Sequence, residues 1–327
     1  MKQAVGVGAA LIDLVTSVSE DWVIRHKKPK GGMNPINWGE MGLVLGDVEC
    51  LLTIPGGSAS NTMIGLSKLG GKARFVCKVG NDDLGDTYSL NLYHSGVDGY
   101  IRKSTTPTGR VLSVVTPDAQ RTMFTYLGAS AELLPSEISE TSFLNASILY
   151  LEGYLAYDPT ILLHCVNIAK NSGIEIAFDC GSFGVIKDCR FIIDKLIEEH
   201  AIDILIANED EARALTSVEE DLACMEMAKM AKIVVIKLGK KGSIIGMNDE
   251  VLRISASEVQ AIDSTGAGDY WASGFLYGYL NGWPLEKCGE LASAVAAEVV
   301  QVMGSIIPDA AYEKLIKIRD KIANVLK

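Results

Sequence analysis

The residues with the clearest chemical meaning form the run Asp263-Ser264-Thr265-Gly266-Ala267-Gly268-Asp269, which leads straight into a helical stretch opening Tyr270-Trp271-Ala272. Successive small residues let a backbone approach a ligand closely and aim its N–H groups at it, and a helix N-terminus favours an anion. Asp269 falls in the first turn of that helix. A hydroxyl is a poor nucleophile until a carboxylate takes its proton, and N–H donors stabilise the charge that spreads over a phosphoryl group in transfer. The run therefore offers a base, Asp269, beside an anion cradle, Gly266, Ala267 and Gly268. A carboxylate here is also a good helix cap. The complete string of small residues raises the segment above a cap.

Four further segments carry candidate chemistry. Gly56-Gly57 leads into a helix start, and Asn61 beyond it both donates and accepts hydrogen bonds, as recognition of a polyol requires. Asn208 and Glu211 follow an apolar strand, at the strand end where ligands of open α/β sheets bind. They are hard oxygen donors suited to magnesium, directly or through water. Lys237, Gly239 and Gly242 surround a lysine-bearing turn fit for nucleotide phosphate. Asp13, at the end of the first strand, can accept hydrogen bonds from two neighbouring hydroxyls. Each has a plainer reading as a capped helix start or an exposed turn. Two decoys are set aside. Gly6-Val7-Gly8 lacks the rest of a dinucleotide fingerprint, and 65–72 lacks the spacing of a phosphate loop.

Apolar runs at 4–14, 73–79, 148–151, 175–178, 203–207 and 233–237 show little polar alternation, as strands buried on both faces of a parallel sheet do. Amphipathic stretches at 60–69, 86–94, 159–171, 191–199, 208–215 and 219–230 fall between them, and 268–280, 284–303 and 310–326 continue as helices. This rhythm predicts an α/β fold, a doubly wound, mostly parallel sheet flanked by helices. Two regions break it. Residues 99–128 alternate as strands at 110–115 and 122–127 around a turn at 116–120, and 21–47 are rich in Gly, Pro and Asn. They are expected to build a small β-sheet lid rather than an ordinary hairpin and loop. Lys27, Lys28 and Lys30 read as a solvated basic cluster.

The net charge of −11 and pI of about 4.9 argue against a nucleic-acid partner. Seven cysteines, an odd number without C-x-x-C spacing, read as free thiols of a reducing compartment. The four histidines form no ligand pattern, which disfavours a zinc enzyme. No apolar run spans a membrane and the N-terminal stretch is no signal peptide, so a cytoplasmic location is expected.

With these residues in view, the chain resembles the ribokinase-like, or PfkB, family of carbohydrate and nucleoside kinases. The resemblance covers nearly the whole length and rests first on DSTGAGD at 263–269. Gly56-Gly57 with Asn61, continuing through Val79-Gly80-Asn81-Asp82 and Gly85, is similar to the family's N-terminal signature, and Asn208 with Glu211 to its N-x-x-E magnesium motif. Asp13 falls where the family has a substrate-binding aspartate. The resemblance implies one kinase domain over 1–327, with a lid from about 15–55 and 99–128. It implies ATP and Mg2+, Asp269 as general base and Gly266–Gly268 as anion hole. Thr265 and Asn208 join Lys237, Gly239 and Gly242 near the nucleotide. A monovalent cation such as K+ is compatible with Asp263 and Thr265. Thr108-Gly109, Gln120-Arg121-Thr122-Met123 and Leu127-Gly128-Ala129 resemble the adenosine-kinase-like branch.

The expected acceptor is a sugar or related small polyol, with adenosine or another nucleoside as alternative; Glu152 is a further candidate for contacting it. A binding regulator without turnover is the alternative of another class, although such a protein needs no base. A dehydrogenase is disfavoured by the missing fingerprint. Monomer and homodimer both fit the family.

Overall fold

The computed structural model describes residues 2–26, 29–30, 33–50, 52–118, 120–248 and 250–326. In chain order the strands are β1 (Gln3–Val7), β2 (Leu11–Ser17), β3 (Met33–Pro35), β4 (Leu52–Gly56), β5 (Lys72–Gly80), β6 (Asp98–Ser104), β7 (Gly109–Val115), β8 (Arg121–Tyr126), β9 (Ala146–Glu152), β10 (Glu175–Asp179), β11 (Ile204–Asn208), β12 (Ile233–Lys237), β13 (Ser243–Met247) and β14 (Glu250–Ile254). The helices are α1 (Glu20–Arg25), α2 (Trp38–Gly46), α3 (Ser58–Lys68), α4 (Asp83–His94), α5 (Pro159–Asn171), α6 (Phe183–Asp188), α7 (Arg190–Glu198), α8 (Glu209–Thr216), α9 (Glu220–Met227), α10 (Ala267–Leu280), α11 (Leu285–Val299) and α12 (Asp309–Val325).

The large sheet runs β14-β13-β12-β11-β10-β9-β1-β5-β6, parallel except where β13 pairs with β12 and β14. Alternate residues of its strands enter two cores. Ala4, Phe75, Tyr150, Ile206 and Val235 pack with α3, α10 and α11, while Val5, Val76, Leu149, Phe178 and Val234 pack with α5, α7 and α9. Burial on both faces explains the unbroken apolar runs and gives the doubly wound architecture.

A second, smaller sheet runs β3-β8-β7-β2-β4. The expected single strand over 4–14 is instead two, β1 in the large sheet and β2 in the small one, because the chain turns at 8–10. There the carboxylate of Glu152 accepts the Ala9 N–H at 2.9 Å. Residues 98–104 pair with β5 in the large sheet, so of the stretch 99–128 only β7 and β8 enter the small one. Residues 21–47 hold α1, β3 and α2 rather than a long loop; Ser19 caps α1, and Asn37 with Glu40 forms a capping box on α2. Lys27 and Lys28 lie outside the described residues. No helix among the described residues is long and apolar enough to cross a membrane.

Candidate active site

The site lies where the small sheet meets the carboxyl ends of the large sheet's strands. Its centre is Asp269, in the first turn of α10. Residues 58, 61, 62 and 65 of α3, one face at helical spacing, lie against α10. Ser58 Oγ donates to Asp269 Oδ1 at 2.8 Å, Asn61 Nδ2 to Oδ2 at 3.0 Å, and Thr62 Oγ1 to the Asp269 carbonyl at 3.1 Å. At Gly65 a Cβ would stand 2.4 Å from Ser273 Oγ, so the glycine sets how closely the two helices approach. Burial raises the Asp269 carboxyl to about 6, with the Asn61 and Ser58 hydrogen bonds opposing the rise. Near neutral pH it is ionised and basic enough to take a proton.

Gly266 caps α10 with φ 76°, a left-handed conformation that a residue with a Cβ resists, and no side chain caps this helix end. The Ala267 N–H bonds the Ser264 carbonyl at 3.2 Å. Within the expected cradle of 266–268 the Ala267 N–H is therefore engaged inside the turn, and the N–H groups of Gly268 and Asp269 open the helix. Lys237 Nζ stands where a Cβ on Gly268 would come within 3.0 Å, bringing a fixed positive charge to the same spot. Its amine pairs with Asp179 Oδ2 at 2.8 Å. Burial pulls the Lys237 amine down, but Asp179 and Glu211 outweigh it and hold the charge in place.

Asn208 and Glu211 form a capping box at the start of α8. The Asn208 N–H donates to Glu211 Oε2 at 2.7 Å, Asn208 Nδ2 to Oε1 at 2.7 Å, and the Glu211 N–H to Asn208 Oδ1 at 2.9 Å. Glu211 is 2% exposed, and burial lifts its carboxyl to about 7 against the pull of Lys237. No group of three or more acidic, histidine or cysteine side chains among the described residues is arranged to hold a metal directly. The pair suits magnesium held through water, as hard oxygen donors already fixed in orientation.

Gly239 and Gly242 shape the β12–β13 turn. Lys241 turns aside there to Glu209 and Glu220, while Lys237 reaches the site.

Asp13 stands on the facing side, on β2. Burial raises it to about 7, Arg121 lowers it, and Asp269 and Asp263 raise it further. A Cβ at Gly56 would lie 2.3 Å from Asp13 Oδ2, so the glycine makes room for the carboxylate. Directly paired residues share a sheet face. Asp13 is flanked by Ile54 and Val111; one step on, Val15 lies beside Leu52 and Ser113, and Met123 beside Met33. Leu52 and Met33 remain 39% and 40% exposed. This face looks across at the 263–269 turn, to which Arg121 of β8 is bound. Arg121 Nη2 reaches Asp263 Oδ2 at 2.7 Å, and Nη1 donates to Thr265 Oγ1.

Glu152 does not offer itself to a ligand. It is 2% exposed, and its two oxygens accept the N–H groups of Ala9 and Ala59, at 2.9 and 2.8 Å. Asp179 was missed; its signal was its position one residue past the apolar run 175–178, at a strand's carboxyl end. Ser58 gave no signal, since a small polar residue at a helix start reads as a cap.

Residues 43–311 match the family described as pfkB family carbohydrate kinase. The chain belongs to this family. The pfkB relatives include a nucleoside kinase of Methanothermobacter thermautotrophicus, 31% identical over 272 residues that cover 80% of this chain and 84% of that one. Among solved structures, an adenosine kinase from Sinorhizobium meliloti is 30% identical with a TM-score of 0.88, and a probable sugar kinase protein from Rhizobium etli is 32% identical with a TM-score of 0.90. Each alignment covers 98% of this chain and 99% of the other. The protein is a pfkB kinase, a phosphotransferase with a hydroxyl as acceptor, and kinases of this family work with ATP and magnesium.

Proposed function

We propose that this kinase phosphorylates the primary hydroxyl of a ribonucleoside, with adenosine as the first candidate. The observation that carries this reading is the apolar wall beside Asp13. Val15, Leu52, Ile54, Val111, Met33 and Met123 share the carboxylate's face of the small sheet, with Ser113 and Thr125 set among them. A bare sugar satisfies Asp13 but leaves the exposed part of that wall in water; a flat base covers it. The sequence favoured a sugar; the wall supports a nucleoside ahead of it. Its relatives are of both kinds, a nucleoside kinase and an adenosine kinase beside a probable sugar kinase.

In this reading Asp13 accepts hydrogen bonds from the vicinal hydroxyls and the small sheet lies over the acceptor as a lid. Asp269, held by Ser58 and Asn61, takes the hydroxyl proton. The new O–P bond forms as the bond from the γ-phosphorus to its bridging oxygen breaks, and ADP departs with that electron pair. The N–H groups of Gly268 and Asp269 and the Lys237 ammonium receive the charge of the moving phosphoryl group. Asn208 and Glu211 would hold magnesium through water, and the ion would supply neutralisation of the polyphosphate charge.

The test is ADP release and product identification with Mg-ATP and a panel of ribonucleosides, ribose and other sugars. Adenosine should give its 5′-monophosphate while base-free ribose is ignored. Analogues lacking the hydroxyl that Asp13 reads should be at least about tenfold worse in kcat/KM, and Asp13→Ala should erase that difference. A sugar turned over while nucleosides are ignored returns the acceptor to the carbohydrate class. Binding without any turnover would make the protein a regulator.

A further inference from the structure

Asp179, buried beside the cradle, takes no part in the transfer step itself. It ends β10 at the level of Ile206 in β11, and Ile206 pairs with Val235 in β12. Two residues beyond Val235, on the same face, stands Lys237. Its side chain therefore crosses β11 to reach Asp179 Oδ2 at 2.8 Å. On the way Cδ, Cε and Nζ pass within 3.8 Å of where a Cβ on Gly268 would stand. Asp179 is itself held. Oδ1 accepts the Gly181 N–H at 3.1 Å, and Oδ2 accepts the hydroxyl of the fully buried Tyr150 at 3.2 Å. The two partners differ in access: the aspartate side chain is 4% exposed and the lysine side chain 14%. An ammonium has three protons to donate, and Asp179 is the acceptor it meets among the described residues. The carboxylate is thus closed to ligands, while the ammonium keeps two protons for an anion at the cradle.

We propose that Asp179 is a positioning residue: it holds the Lys237 ammonium at the start of α10 and acts on phosphoryl transfer only through that ammonium. The proposal rests on the reading that Lys237 receives charge from the moving phosphoryl group. A lysine is a point charge on a flexible four-carbon stem. Without Asp179 it is free to turn toward Glu211 or Asp269, whose charges it already feels. A buried charge is costly unless it is paired. In the empty site Asp179 is that pair, and an arriving phosphate finds the cation in place with no rearrangement to make. Tyr150 and the Gly181 N–H fix the direction of the carboxylate, as a support that must be exact to a fraction of an ångström requires.

The experiment uses the protein and three variants, Asp179→Asn, Lys237→Met and the two combined, with two readouts. The first is the melting temperature with and without sodium tripolyphosphate, which imitates the nucleotide's phosphate chain and needs no acceptor. Asp179→Asn leaves the buried ammonium without its counter-ion and should melt below the wild type. Tripolyphosphate should then raise its melting temperature by about 2 °C or more beyond the rise in the wild type. The combined variant, which has no ammonium, should lose that extra rise. The second readout is the kinetics of adenosine phosphorylation. Asp179→Asn should lose about tenfold or more in kcat, with KM for adenosine within about twofold of the wild type. Lys237→Met and the combined variant should agree in kcat within about twofold, because without Lys237 nothing is left for Asp179 to position. A combined variant about tenfold slower than Lys237→Met overturns the proposal, since Asp179 would then act on its own. Equal tripolyphosphate shifts in the wild type and Asp179→Asn overturn it too. Wild-type kcat in Lys237→Met sinks the reading of Lys237 itself, and the proposal with it. If Asp179→Asn does not fold, the comparison of Lys237→Met with the combined variant decides. If adenosine is not a substrate of the wild type, the nucleoside reading fails, and the tripolyphosphate arm still decides the role of Asp179.

Discussion

At Asp269 two opposing effects meet. Burial disfavours its charge, while the Ser58 hydroxyl and the Asn61 amide favour it, and the carboxyl comes to rest at about 6. A general base works best with a pKa just below the working pH. The kcat/KM for the acceptor should therefore fall on the acid side, with an apparent pKa near 6. Asn61→Ala deletes a donor to the charged form and should move that limb to higher pH. Asp269→Asn should still fold and bind acceptor, but lose roughly 10²-fold or more in kcat. Wild-type turnover in that variant would remove Asp269 from the mechanism. Opposite it, Gly56→Ala would drive a methyl against Asp13 Oδ2, where only 2.3 Å is available. We expect the acceptor KM to rise about tenfold or more, as displacement of a positioning group by a fraction of an ångström does, while KM for ATP is unchanged. Equal effects on both would mean that the small sheet itself had collapsed.

At the scale of elements, α3 and α10 form one device. The first presents Ser58, Asn61 and Thr62; the second presents Asp269; Gly65 against Ser273 sets their spacing. Gly65→Val overfills that contact and should cost about 1–3 kcal/mol of stability. It should also lower kcat, because α3 and α10 can separate only by lengthening the bonds to Asp269. Denaturant melts and kinetics on the same preparation test this, and a stable variant with normal kcat would separate the packing from the chemistry. The device also marks what a sequence discloses. The 263–269 run and the apolar strands were readable because their meaning is local: small residues before a helix, Val and Ile without alternation. The break between β1 and β2 was not, because Gly8-Ala9-Ala10 is apolar like its surroundings and the group that turns the chain, Glu152, lies 143 residues from Ala9. The pairing of Arg121 with Asp263 spans 142 residues. Such partners leave no periodicity, and only the fold brings them together.

Across the whole molecule, Asp13, Glu152, Glu211 and Asp269 have carboxyls raised by burial to between about 6 and 7. Groups raised on folding bind protons more tightly in the folded chain than in the unfolded one. Their contribution to stability is full below the ordinary carboxylate range and is lost as pH rises toward 7. Depressed groups such as Asp82 and Asp263 act lower, below the ordinary range, and leave this window alone. The ligand-free protein should therefore melt at a higher temperature at pH 5 than at pH 7.5, and Glu152→Gln should flatten part of that slope. A melting temperature that climbs over this interval would show that these carboxyls are not raised together.

The separation of Ser58 from Asp269, 211 residues along the chain, also has a consequence in time. Translation at about 5–20 residues per second puts roughly 10–40 s between the two. Through that interval α3 exists without α10, yet every residue from Ala59 to Leu66 is buried in the finished protein. A nascent chain thus carries a helix destined for burial whose α10-facing residues, Ser58, Asn61, Thr62 and Gly65, have no cover until the last fifth of the protein leaves the ribosome. The half of the protein that holds Asp13 and Asn61 is the half most in need of shelter during synthesis.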